Sequence, residues 1–130
     1  MTEIANIMDS LKLIEELIER PILQESAEDM TSLASELNAI QSLSANMVAE
    51  TLRLNKMDEL QCLERLRPYF NRPMLVNKYL SAETGDSQAL HERARRLNSA
   101  VTLKIEYLRT ALSLYKTEFA LTQRDFNGNI

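Results

Sequence analysis

Only two glycines and three prolines interrupt a chain of 130 residues. Tight turns draw on Gly, Pro, Asn and Asp for the backbone angles that reverse a chain. An all-β fold would need many such turns, whereas long helices need few. Hydrophobic residues make up 45% and charged residues 26%, which is enough apolar surface for a core. Aromatics are 5% and Trp is absent, so packing must run through Leu, Ile, Met and Ala. This length suits one domain and is too short for two ordinary ones. The expectation is a single all-α domain over residues 1–130.

Apolar spacing divides the chain into helices. Ile4, Ile7, Met8, Leu11, Ile14, Leu17 and Ile18 recur three and four apart and predict a helix over about residues 2–20, with Thr2 as a cap. Pro21 ends it. Ser26, with Asp29 three residues on, starts a second helix. Met30, Leu33, Leu37, Ile40, Met47, Thr51 and Leu54 carry its stripe, with Ser44 in the gap and Leu43, Val48 and Leu52 widening it. Met57, Leu60, Leu63 and Leu66 follow without Gly or Pro, so the helix runs from 26 to 66, about 60 Å at 1.5 Å per residue. A change of phase around Lys56-Met57-Asp58 leaves a break near Asn55 as the competing reading.

Residues 67–73 hold two of the prolines and read as a short linker, with Pro73 opening a short helix to about 82. Thr84-Gly85-Asp86 reads as a turn over 83–86, and Asp86 or Ser87 as the cap of a final helix over 87–122. That helix carries Leu90, Ala94, Leu97, Val101, Ile105, Leu108, Leu112, Tyr115 and Phe119 on one face. Residues 124–130 are a frayed tail. The predicted fold is an elongated helical bundle on two long antiparallel helices, with the shorter helices packed along them.

Charge divides the chain in a second way. Residues 1–63 hold 12 acids and 4 bases, a net of −8, and residues 64–109 hold 5 acids and 9 bases, a net of +4. All seven aromatics follow residue 68. Two halves folding against each other with complementary fields is the simplest reading. The arginines Arg93, Arg95 and Arg96 also suit phosphate forks, which makes a nucleic-acid accessory role an alternative. The acidic balance of the whole chain, −4, weighs against it.

Catalytic constellations are missing from the sequence. The single Cys62 excludes an internal disulfide and a Cys-based zinc site, and its Leu-rich surroundings predict burial. His91 is the only histidine; position 88 is Gln, not the acid of a Glu-x-x-His metal motif, and a solvent-facing side chain is expected. Acid pairs such as Glu15-Glu16, Glu28-Asp29 and Asp58-Glu59 are adjacent and so diverge around a helix. Neither glycine belongs to a phosphate loop. No enzyme activity, metal or cofactor is expected. Residues 1–20 carry acids throughout, unlike a secretory signal, and apolar runs are too short to span a membrane, so the cytoplasm is the expected location. The methionines 1, 8, 30, 47, 57 and 74 read as core or as an adaptable groove.

The opening Met1-Thr2-Glu3-Ile4-Ala5-Asn6-Ile7-Met8-Asp9-Ser10-Leu11, the long second helix and the stretch Leu97-Asn98-Ser99-Ala100-Val101-Thr102-Leu103-Lys104-Ile105 together have a familiar pattern. In it the chain resembles the bacterial flagellar export chaperones of the hook–filament junction proteins. That resemblance implies a cytoplasmic helical protein that binds a helical segment of a client. No binding residue carries over position by position.

Two long stripes and few helices to cover them predict an open amphipathic groove that takes a protein partner, with Met47, Leu54, Leu108, Leu112, Tyr115 and Phe119 as contacts. A structural or regulatory homodimer, in which the same surplus of apolar surface meets its own copy, is the alternative.

Overall fold

The computed structural model describes residues 2–22 and 26–128, and side chains up to Leu121 from Glu3 onward. It is all-α, with three helices among the described residues: α1 (Thr2–Glu19), α2 (Ala27–Leu66) and α3 (Pro73–Gly128). The capping role expected of Thr2 falls outside the described side chains, as does Phe126.

Helix α2 starts where its chemistry says it should. The Ser26 hydroxyl accepts from the Asp29 backbone N–H at 3.2 Å, satisfying a donor that the first turn cannot pair internally. It then runs unbroken for 40 residues, so Asn55 does not interrupt it. A 3-10 turn over Arg67–Tyr69 ends it, where Pro68 has no N–H to continue the ladder. Pro73 opens α3, its fixed φ suited to a first helical turn.

The predicted turn over 83–86 does not form. Helix α3 is continuous for 56 residues, about 84 Å, through Thr84-Gly85-Asp86 and through the expected tail to Gly128. The polar side chains that suggested a turn have helical partners instead. Thr84 Oγ1 donates to the Leu80 carbonyl at 2.7 Å, and Ser87 Oγ donates to the Thr84 carbonyl at 3.1 Å. Gly85 has no positive φ, so nothing in its backbone requires a glycine.

Contacts between α2 and α3 pair rising numbers in one with falling numbers in the other: Ser44 with Asn98, Thr51 with His91, Asn55 with Ser87, Arg65 with Glu83. Helix α1 lies along both. Its start is tied to α2 by Glu3–Arg53 and its end by Arg20–Glu36. Glu15 reaches Arg93 of α3 at 2.6 Å. The Lys104 ammonium donates to the Ile18 and Arg20 carbonyls and so closes the unsatisfied C-terminal end of α1. Burial holds the Lys104 pKa below the usual lysine value, and the nearby Arg20 charge adds to this.

The main core joins Ile7, Leu11 and Ile14 of α1, Leu33, Leu37 and Ile40 of α2, and Val101, Ile105 and Leu108 of α3. A second, smaller cluster of Cys62, Leu66 and Val76 lies beyond the start of α1, where only α2 and α3 remain. Burial and, secondarily, the neighbouring Glu83 push the Cys62 thiol pKa up. The two clusters are separated by polar side chains. Thr51, Asn55 and Thr84 are buried between them, with Ser87 and His91 half-buried alongside. The histidine is therefore not solvent-facing: its Nδ1 lies 3.0 Å from Thr51 Oγ1.

This polar stretch also corrects the stripe of α2. The buried line runs through Met47, Thr51, Asn55, Cys62 and Leu66, while Met57 and Leu60 are exposed and Leu54 is half-buried. Helical spacing of 3.6 residues carries the inner face from Thr51 to Asn55, one position past the apolar Leu54. Ile4 and Met8 of α1 and Leu52 of α2 likewise sit at the exposed margins of their stripes.

Candidate protein-binding surface

Helix α3 outlasts its partners. Leu108 is fully buried (0% exposed) and Ala111 and Leu112 still pack against the core, but every side chain from Ser113 to Leu121 is exposed. Tyr115 and Phe119 continue the core-facing stripe past the beginning of α2, and they stand 37% and 57% exposed because no helix is left to cover them. Beside them is a concavity of about 220 Å³ whose floor is the buried Met30. Ala111, Leu114, Tyr115 and Glu118 form one side of it.

The six contact residues expected from sequence therefore separate into two groups. Leu112, Tyr115 and Phe119 lie together at this end. Met47 and Leu108 belong to the main core, where a side chain without exposed surface has none to offer a partner, and Leu54 packs half-buried at its margin. Leu114 also lines the concavity and was missed, whereas Met30, read from sequence as core or groove, is 1% exposed and underlies the concavity as core. Leu114 falls off the Leu112–Tyr115–Phe119 face, and Met30 lies 85 positions away on α2. Of the methionines, Met30 and Met47 are core, while Met8, Met57 and Met74 are exposed without forming one patch with this site.

The basic residues behave differently from one another. Arg93 is tied to Glu15 across the helix interface and so joins the acidic and basic halves, whereas Glu3–Arg53, Arg20–Glu36 and Arg65–Glu83 each join residues of the same half. Arg95 and Arg96 have no ion pair among the described residues and border a shallow dish of about 330 Å³ with Glu92 and Leu103. Tyr69 and Phe70, the aromatics that could supply stacking, are at the opposite end of the α2–α3 pair, beside Arg72 and Pro73.

A groove of about 420 Å³ separates α1 from α2, floored by Leu17 and Ile40 and bordered by Leu13, Glu16 and Glu36. Its Arg20–Glu36 ion pair bridges the two helices. Among the described residues no group of three or more His, Cys, Asp or Glu side chains could hold a metal ion. No described helix is long and apolar enough to cross a membrane.

Comparison of the chain with protein-family models, with curated proteins and with solved structures finds no match.

Proposed function

We propose that this is a nonenzymatic, cytoplasmic helical protein, built on two long antiparallel helices, that binds another protein in the manner of a chaperone or adaptor. The observation that carries the reading is the extension of α3 beyond α2. It leaves Tyr115 and Phe119, next to the half-buried Leu112, in line with the core stripe but without a covering helix among the described residues. An amphipathic helix of a partner would lie where α2 would have continued, its apolar residues at three- and four-residue spacing meeting the same face. Aromatic anchors beside a shallow apolar concavity are the arrangement in which few residues dominate binding. The pattern shared with the flagellar export chaperones supports the same class of partner, a helical client segment.

The test is a double substitution, Tyr115→Ala with Phe119→Ala. Proteins retained by the native chain would be identified by mass spectrometry and one of them purified for titration. Loss of that interaction with an unchanged melting temperature is the expected result. Retained binding at native affinity would remove this end of α3 from the proposal.

A further inference from the structure

The turn that joins α2 to α3 gathers cations and open apolar side chains on one apex. Residues 65–82 hold four bases, Arg65, Arg67, Arg72 and Lys78, and no acid. Every residue from Arg67 to Met74 is exposed. Tyr69 and Phe70 are each about half open to water, and Met74 at 86% is the most exposed large hydrophobic among the described residues. The backbone of the apex is nonetheless ordered. Phe70 N–H donates to the Arg67 carbonyl at 3.3 Å and Arg72 N–H to the Tyr69 carbonyl at 2.8 Å. Pro68 and Pro73 fix φ on either side, so these side chains are presented without an ordering cost.

We propose that this apex docks end-on against an anionic lipid bilayer surface. Tyr69, Phe70 and Met74 enter the headgroup region, and Arg72 and Lys78 meet the lipid anions. Charge complementarity selects this occupant. The acids of this end are mostly engaged: Glu59 with Lys56, Glu64 with Arg67 and Glu83 with Arg65. Asp58 is the other, about 12 Å back along α2 from Leu66. Arg72 and Lys78 have no ion pair among the described residues. Lys78 follows Pro73 by five residues, about 8 Å behind the apex, and its long stem can extend along the helix to the headgroups.

The strongly acidic part of the chain lies too far back to oppose this approach. Residues 1–52 hold 10 acids and 2 bases, but Thr51 is about 22 Å behind Leu66, and Glu3 at the start of α1 pairs at that level with Arg53. Fields are screened over about 8 Å at physiological ionic strength, so this charge turns the molecule end-on and leaves the apex attractive. Shape favours a bilayer over an acidic protein. A specific protein interface takes about 20–30 residues a side, more than a turn of this size presents. A bilayer asks for no complementary shape, and aromatic rings settle at its interface. Each cation near an anionic leaflet adds about fivefold in affinity. No spanning helix is involved, and the client surface at Tyr115 and Phe119 is at the other end of the α2–α3 pair.

The test is flotation of the full chain with vesicles of phosphatidylcholine, alone or with about 30% phosphatidylserine, in roughly 50 to 500 mM salt. Binding should require phosphatidylserine and fade as salt rises. Arg72→Gln with Lys78→Gln should weaken it about 25-fold, and Tyr69→Ser with Phe70→Ser should weaken it as well. Both pairs are exposed, so the melting temperature should not change. Arg95→Gln with Arg96→Gln removes two cations elsewhere and should leave binding intact. Insertion is read from Phe70→Trp, since the chain has no tryptophan of its own. Its emission should shift to the blue on phosphatidylserine vesicles and be quenched by brominated lipid, whereas Phe119→Trp should show neither. Absence of flotation at low salt, equal losses from the two pairs of cation substitutions, or unshifted emission from Phe70→Trp overturns the proposal. Binding to a soluble polyglutamate peptide as tight as to the vesicles, lost in the same variants, would also overturn it and assign the apex to an acidic protein.

Discussion

Replacing Gly85 with alanine distinguishes a continuous α3 from two helices joined by a turn. Gly85 sits in the thirteenth position of α3, within the segment whose sequence reads as a turn. A glycine inside a helix costs roughly 0.5–1 kcal/mol relative to alanine, because the unfolded chain loses more freedom when it is ordered. The gain from substitution is realised only if the new Cβ fits. A Cβ built at Gly85 meets nothing within 4 Å, so neither overpacking nor displacement of a neighbour offsets it. The expected effect is a stabilisation of about 0.5–1 kcal/mol. Unfolding entropies near 2.1 cal/mol/K per residue give about 0.27 kcal/mol/K for this chain, so the melting temperature should rise by roughly 2–4 °C. Thermal unfolding followed by circular dichroism, with a urea titration to check that the slope is unchanged, measures it. A fall in stability would refute the reasoning, since it would mean that residue 85 adopts a conformation alanine cannot.

Leu108→Ala should destabilise by about 2–5 kcal/mol, as expected for a fully buried leucine, whereas Phe119→Ala, with more than half its surface already in water, should change stability by less than about 1 kcal/mol. Comparable losses in urea unfolding would contradict the division between core and open surface. Thr51→Val keeps the shape of the buried side chain but removes the hydroxyl that meets His91 Nδ1 and the Met47 carbonyl, and should cost about 1–2 kcal/mol. A neutral or stabilising outcome in the same assay would show that this contact does not hold the helices together. Lys104 has a folded-state pKa below its unfolded value, so the unfolded chain binds more protons between the two. The stability of the native chain relative to Lys104→Met should therefore rise as pH climbs through the folded pKa towards 10.5, and a falling difference would reverse the assignment.

The helices were legible because their apolar spacing is long and uninterrupted, and the start of α2 because Ser26 and Asp29 form a local capping signal. Two features were not. Thr84-Gly85-Asp86 has the composition of a turn, but Thr84 and Ser87 bond to carbonyls of their own helix and Asn55 of α2 donates to Ser87, which settles the segment as helix through contacts 32 residues apart. Thr51 and Cys62 were expected on the buried side and are buried, but the face between them was misplaced because Leu54, Met57 and Leu60 give a stronger hydrophobic signal than Asn55. The polar series Ser44, Thr51 and Asn55 does keep helical spacing, which is the available clue, yet its partners Asn98, His91 and Ser87 are visible only in three dimensions. The proposed binding end follows the same pattern. Its aromatic stripe can be read directly, whereas its exposure depends on α3 extending past the start of α2.

The polar side chains between the two apolar clusters also set how the molecule comes apart. Cooperativity travels through close-packed contact, and here that continuity is interrupted by hydrogen bonds that water can replace. The cluster beyond them has three buried residues against thirteen in the main core, and α1 does not reach it. Residues 55–66 of α2 and the first turns of α3 are therefore expected to open at a lower free-energy cost than the three-helix region. Amide hydrogen exchange should record this as faster, subglobal exchange in those segments than in residues 30–47, and uniform protection along α2 would exclude it. If that end does open first, it would be remodelled while the other holds its form.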